Sequence, residues 1–304
     1  MTDMHRPIII LSNVIIDDIV LADGTAQPGV LGGAGTYSAA GAALWWPRVA
    51  IVAGVGDDRD DVAHRGVTAL GLMTDGLLVR GAQTIRNRLV YRDDGERTET
   101  PVFGADHFAR MQVAPSDIPP ALLPAAGTYV FGGARPAFWT DFDRIVPTLG
   151  AVLWELSADA AEPEAWRMVA SCLKHVDIFS LNLAEARRML ELSRPSDIVD
   201  RLLEAGCRMV VLRMGKDGAL VSDPISRLHV RPLHSPVVDV TGAGNAFCGG
   251  FLAGWISSGS IEHASRMAAA AAAKTIAQYG PPDPHDRDGA LRLAAMATIK
   301  FLAK

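Results

Sequence analysis

The stretch Asp239–Trp255, DVTGAGNAFCGGFLAGW, sets Gly242 and Gly244 just ahead of a run of small and apolar residues that reads as a helix. Glycine frees the backbone to turn its N–H groups outward. A helix beginning near Asn245 adds the positive end of its dipole. Gly242, Ala243 and Gly244 would then form a nest for a phosphate or for negative charge that develops during a reaction. The next residue, Asn245, stands where chemistry would be done, yet an amide is a poor base. No GK[ST] follows, so this is not a P-loop. No opening βαβ unit with a ribose-binding acid surrounds it, so it is not a dinucleotide fingerprint. Taken alone, such a turn also serves plain close packing.

A second spacing is NLAE at 182–185. Asn182 and Glu185 are three apart at a helix start and share one face. Read alone, they are also a capping box, with Asn182 as N-cap and Glu185 closing it.

These residues need a scaffold. The chain has 304 residues, 49% hydrophobic and 21% charged, which suits a large core in one α/β domain or two small ones. A formal net charge of −5 argues against broad nucleic-acid binding, which needs a concentrated basic face. Cys172, Cys207 and Cys248 are odd in number and far apart, which suggests neither a disulfide framework nor a zinc site. The run IIILSNVII (8–16) reads as a first core strand and not as a signal peptide. The Ala-rich run 268–273 is too short to span a bilayer. No membrane association and a cytoplasmic location are therefore expected.

Further strands are expected at 48–56, 128–133, 151–156, 176–181 and 208–215, rich in Val, Leu and aromatics. Helices are expected at 34–46, at 162–175, and at 196–206 from a Ser cap, and the chain beyond 245 reads as mostly helical. This alternation predicts a mostly parallel central sheet with helices on both faces, and ligands beyond the carboxyl ends of its strands. One segment breaks the rhythm. TIRNRLVYRDDGERTETPVF (84–103) alternates apolar and polar residues around DDG, a hairpin signal. It predicts a small β lid or an oligomer contact.

Taken together, these segments resemble the ribokinase-like (PfkB) carbohydrate kinases. Asp239, Thr241, Gly242, Ala243 and Gly244 fit the family signature. SNVIID (12–17) resembles its opening strand, and LGGAGTYSAAGAAL (31–44) its glycine motif. NLAE matches its N-x-x-E, and VVLRMGKDGALV (210–221) resembles its hairpin beside the nucleotide. The resemblance covers nearly the whole chain. It implies one ribokinase-like α/β domain over 1–304, with a lid contributed by about 14–30 and 84–105. It also implies phosphoryl transfer from ATP, with Mg²⁺, to a hydroxyl of a sugar, nucleoside or related polyol, and a possible homodimer through the lid.

Carried over residue by residue, the resemblance assigns substrate contacts to Asp17, Gly32, Gly33 and Tyr37. It assigns the nucleotide to Asn182, Glu185, Arg213, Gly215, Thr241, Gly242 and Gly244. Mg²⁺, partly through water, falls to Asn182, Glu185 and Asp239. Hard oxygen donors suit that ion.

The chain departs from the pattern twice. The family's catalytic base is an Asp where this chain has Asn245, and Tyr37 replaces a common Asn. Glu155 in LWELS lies where members often carry an acid. Two readings follow from Asn245. One is a kinase with an altered acid–base arrangement, in which the amide limits turnover but not binding. The other is a non-catalytic nucleotide- or sugar-binding relative.

Overall fold

The computed structural model describes residues 4–58, 62–92 and 97–303. In chain order the first half runs β1 (Ile8–Leu11), β2 (Ile15–Val20), β3 (Ala26–Gly32), α1 (Ala34–Ala43), β4 (Val49–Gly56), α2 (Val62–Ala69), β5 (Leu77–Gly81), β6 (Ile85–Tyr91), β7 (Arg97–Pro101), α3 (Gly104–Met111), β8 (Gly127–Gly132) and α4 (Pro136–Asp143). The second half runs β9 (Ala151–Leu156), α5 (Trp166–Cys172), β10 (Ile178–Asn182), α6 (Leu183–Leu190), α7 (Pro195–Glu204), β11 (Val210–Arg213), β12 (Ala219–Ser222), β13 (Arg227–Val230), α8 (Ala243–Ser258), α9 (Ile261–Ile276), α10 (Arg287–Met296) and β14 (Ile299–Phe301).

Ten strands form one sheet in the order β14-β13-β12-β11-β10-β9-β8-β1-β4-β5. From β11 to β5 every pairing is parallel, and β12, β13 and β14 add an antiparallel edge. Both faces are covered, which is why the central strands are continuous apolar runs. Ile8 and Ile10 of β1 pack with residues of α1, α8 and α9. Ile9 and Leu11 point the other way, into the core built with α4, α5, α6 and α7. This is the mostly parallel, helix-flanked sheet that the alternation predicts.

Helices α1 and α8 touch closely because small residues face each other. A methyl on Gly249 would strike the Ser38 carbonyl, and one on Gly41 would strike the backbone of Ala246. The contact holds the first turns of α8 against the strand ends where a site must lie.

The run 8–16 is not one strand. It breaks at Ser12–Asn13, and its second half, β2, leaves the main sheet for a four-stranded sheet ordered β3-β2-β6-β7. There β2 lies parallel to β6, pairing Asp17 with Asn87, and antiparallel to β3. The strands β6 and β7 pair antiparallel as the alternation suggests, and the DDG turn (93–95) between them lies outside the described residues. Two helix expectations shift. The segment 162–175 forms α5 with single 3₁₀ turns on either side. The helix α7 starts at Pro195 with Arg194 as its N-cap, so Ser196 is inside it. Proline fits the first helical position, where its missing N–H is not needed.

Candidate active site

The signature loop is held from both ends. Val238 N–H donates to the Ile276 carbonyl at 2.7 Å, tying the loop to the end of α9. Asp239 then folds the turn on itself: its Oδ1 accepts from Thr241 N–H at 2.9 Å and from Thr241 Oγ1 at 2.7 Å. Such a side-chain turn is what a short acid before Thr-Gly can do. Gly242 is the N-cap of α8 with φ 73°, the left-handed region that glycine reaches without strain. Its Cα faces the ring of Tyr37, so even a methyl there would overlap the aromatic carbons. Tyr37 is buried and its ring is engaged by the turn. No side chain caps α8. Ala246 N–H bonds to the Gly242 carbonyl, while no hydrogen bond among the described residues takes the N–H of Gly244 or Asn245. These are the free donors that a phosphate would meet.

The first turn of α8 stands between two cavities. One, of about 180 Å³, is lined by Gly242 and Asn245 together with Asp17, Gly33, Tyr37 and Thr241. The other, of about 510 Å³, is lined by Ala243 and Gly244 together with Asn182, Arg213, Gly215 and Lys216. Gly32 reaches neither lining. A side chain there would collide with the Asp17 carboxylate, which packs against its Cα.

Behind the turn lies a buried polar cluster. Glu155, at the end of β9, is 2% exposed. Its Oε1 accepts from Arg213 Nη2 at 2.8 Å and from Asn245 Nδ2 at 2.9 Å. Its Oε2 accepts from the Tyr129 hydroxyl at 2.7 Å. Both carboxylate oxygens are thus satisfied, which a buried carboxylate requires. A carboxylate only accepts, so Asn245 must turn its NH₂ toward Glu155, and its Oδ1 is left for other partners. Burial first, and the Glu155 carboxylate next, push the Tyr129 hydroxyl well above its ordinary range, so it stays protonated. Burial likewise raises the thiol of Cys248, next along α8. Arg213 is pushed further up in turn: burial is the largest single influence and opposes its charge, but Glu155 together with Cys248, Glu185 and Tyr129 outweighs it.

Gly244 is where Arg213 passes. A Cβ on Gly244 would overlap the guanidinium. The sequence suggests that both glycines serve the backbone. The structure assigns that need to Gly242 and gives Gly244, which is helical, the separate task of making room for Arg213. Gly244→Ala is therefore expected to cost about 1–3 kcal/mol of unfolding free energy and to weaken ATP binding at the same time. Urea denaturation and calorimetric titration with ATP measure the two. A variant with both unchanged would show that Arg213 moves aside freely.

Asn182 and Glu185 form the capping box. Asn182 Oδ1 accepts from Glu185 N–H at 2.8 Å, and Glu185 Oε2 accepts from Asn182 N–H at 2.8 Å. Glu185 Oε1 takes Asn182 Nδ2 at 2.6 Å. Burial raises the pKa of Glu185, opposed by Arg213. No group of three or more His, Cys, Asp or Glu that could hold a metal comes together among the described residues. One buried oxygen does ask for a partner: Asp239 Oδ2 meets no donor. A hard cation that draws most of its ligands from phosphate and water, with a carboxylate oxygen added, fits this donor set.

Sequence reasoning missed Tyr91. The last residue of β6, it brings its hydroxyl within 2.8 Å of Asp239 Oδ1 and 2.6 Å of Thr241 Oγ1, joining the small sheet to the signature loop. The signal was an amphipathic residue closing an alternating run. Asn87 and Glu99 were missed as well, and both line the smaller cavity.

Comparison with known proteins follows the same lines. Residues 24–287 match the family described as pfkB family carbohydrate kinase. The ATP-dependent ribose-1-phosphate kinase of Halopiger xanaduensis is 29% identical over 87% of this chain and 88% of its own. The cytidine kinase of Thermococcus kodakarensis is 25% identical over 90% of this chain and 97% of its own. The solved aminoimidazole riboside kinase of Salmonella enterica, complexed with aminoimidazole riboside and an ATP analog, superposes with a TM-score of 0.73 at 20% identity. It covers 94% of this chain and all (100%) of its own. No helix among the described residues is long and apolar enough to cross a membrane.

Proposed function

This chain belongs to the pfkB family of carbohydrate kinases and is a sugar or nucleoside kinase, and from that premise we propose how its own residues carry the transfer. The observation that supports the scheme is the place of the first turn of α8 between two cavities. The larger cavity takes ATP, and the smaller takes the accepting alcohol. The N–H groups of Gly244 and Asn245 receive the phosphoryl group that passes between them, with the turn of Thr241–Ala243 holding them in place.

Asp17 accepts hydroxyl hydrogens of the substrate. Asn245, its NH₂ fixed on Glu155, points Oδ1 at the attacking hydroxyl and aligns it. The hydroxyl oxygen forms the new bond to the terminal phosphorus as the bond to the bridging oxygen breaks, and ADP leaves with that electron pair. The proton ends on an oxygen of the transferred group. Transfer of this kind depends mainly on positioning and charge, and a base contributes about 10²–10⁴-fold. An amide held in one orientation supplies the first without the second. Mg²⁺, held by Asp239 and, partly through water, by Asn182 and Glu185, would neutralise phosphate charge. The small sheet of β2, β3, β6 and β7 serves as the lid of one domain, and its exposed side is the place for a second copy.

A coupled ADP-release assay over sugars and nucleosides, in buffer with and without Mg²⁺, tests the scheme. Turnover that depends on Mg²⁺ and on one class of alcohol is expected. ADP release that no alcohol accelerates would refute the assignment of the smaller cavity.

A further inference from the structure

The two cavities differ in charge, and this bears on what the smaller one admits. The larger is lined by the cations Arg213, Lys216 and Arg231. The smaller has no Lys, Arg or His among its described lining residues, and it has two carboxylates, Asp17 and Glu99. Three amides join them, Asn13, Asn87 and Asn245. The orientation of Asn87 is fixed, because its Nδ2 donates to Glu99 Oε1 at 2.5 Å. Its Oδ1 is therefore left as an acceptor, and it is buried with no donor in the protein. Asn13 Oδ1 is buried and without a donor too. Asn245 adds a third amide oxygen, since its NH₂ is spent on Glu155. The two arginines within β6 are turned away. Strand alternation puts Asn87 and Leu89 of β6 on the cavity side, and Arg86 and Arg88 on the other face. There Arg86 pairs with Asp18 at 3.2 Å.

A lining rich in acceptor oxygens favours a ligand rich in donors. We infer that the smaller cavity takes an unphosphorylated polyol, a neutral sugar or nucleoside whose hydroxyl and amino hydrogens meet Asp17, Asn13, Asn87 and Glu99, and that it rejects sugar phosphates. This rests on the kinase reading above and narrows its substrate class. A phosphate ester carries a charge of about −1.5 to −2. It would meet carboxylates and unprotonated amide oxygens where it needs donors.

Matched pairs test the inference: ribose with ribose 5-phosphate, fructose with its 1- and 6-phosphates, and cytidine with its 5′-monophosphate. Each phosphate keeps the carbon frame of its parent and replaces one hydroxyl by a charged ester, so binding decides the comparison wherever that hydroxyl would be the acceptor. Calorimetric binding and ATP-dependent turnover are measured side by side. The unphosphorylated member is expected to bind and to turn over with kcat/KM about 100-fold or more above its phosphate. A phosphate that binds as well as its parent, or better, overturns the inference. So does failure of every parent to bind. A parent that binds while no ATP is consumed leaves the inference standing and removes the kinase scheme instead. Glu99→Lys, at an exposed position, is expected to move the binding ratio about 10-fold toward the phosphate, with urea denaturation checking that the loss of the Asn87 bond leaves the variant folded. The gain should vanish at about 0.5 M salt. An unmoved ratio would place Glu99 away from the ligand and overturn its part in recognition.

Discussion

Arg213→Met is expected to lower the unfolding free energy by about 3–5 kcal/mol, because it leaves Glu155 charged and buried without its cation. Exposure decides the size. Glu155 and Arg213 have side chains only 3% and 13% exposed, so solvent screens their pairing little. The double variant Arg213→Met with Glu155→Gln removes both charges and should regain most of the loss, as a neutral amide can still bond to Tyr129 and Asn245. Urea denaturation of the two single variants and the double variant forms a cycle that isolates the coupling. If Arg213→Met alone stays within about 0.5 kcal/mol of the parent, the ion pair is solvated in solution.

The second expectation concerns Asn245 and depends on the same carboxylate. The sequence suggests that an Asp at 245 should simply restore a base. The structure puts Glu155 at 2.9 Å from the atom that would become the second carboxylate oxygen. Two carboxylates at that distance do not both ionise easily, and one is held protonated. Asn245→Asp alone should therefore gain little at neutral pH, with kcat rising as pH rises. The sign follows from the raised pKa: the base form is scarce below it and returns above it. Asn245→Asp with Glu155→Gln exchanges the two groups and keeps one negative charge beside Arg213. This double variant should raise kcat by about 10²-fold with a flat pH profile, leaving the substrate Kd within a few-fold. A single variant as fast as the double at every pH would show that Glu155 does not govern position 245.

The fold was legible because each central strand is buried on both faces and so reads as a continuous apolar run. VAIVAGVG and AVLWEL are such runs, and they correspond to β4 and β9 within a residue. The break after β1 was not legible, since Ile15 and Ile16 are as apolar as Ile8–Ile10 although they serve a different sheet. The glycine turn and the cap at Asn182 could be read because their partners lie within a few residues. The Glu155 cluster could not. It joins β8, β9, β11 and α8, and only the sheet order brings Tyr129, Glu155, Arg213 and Asn245 together. Gly244 shows the cost most plainly. Its type was noticed, but the reason for it lies in an arginine 31 positions away in sequence.

Tyr91 gives the small sheet and the signature loop a shared hydrogen bond. Strand β6 carries Asn87 and Leu89 in the lining of the smaller cavity, and four residues after Asn87 the same strand reaches Asp239 and Thr241. A substrate that draws β6 inward would move that hydroxyl on the loop proposed to receive the phosphate, and the two ligands are then expected to affect each other's binding. Whatever factor the alcohol applies to the affinity for the nucleotide, the nucleotide must return to the alcohol. Tyr91→Phe is expected to weaken such a link, measured by titrating ATP with and without the alcohol.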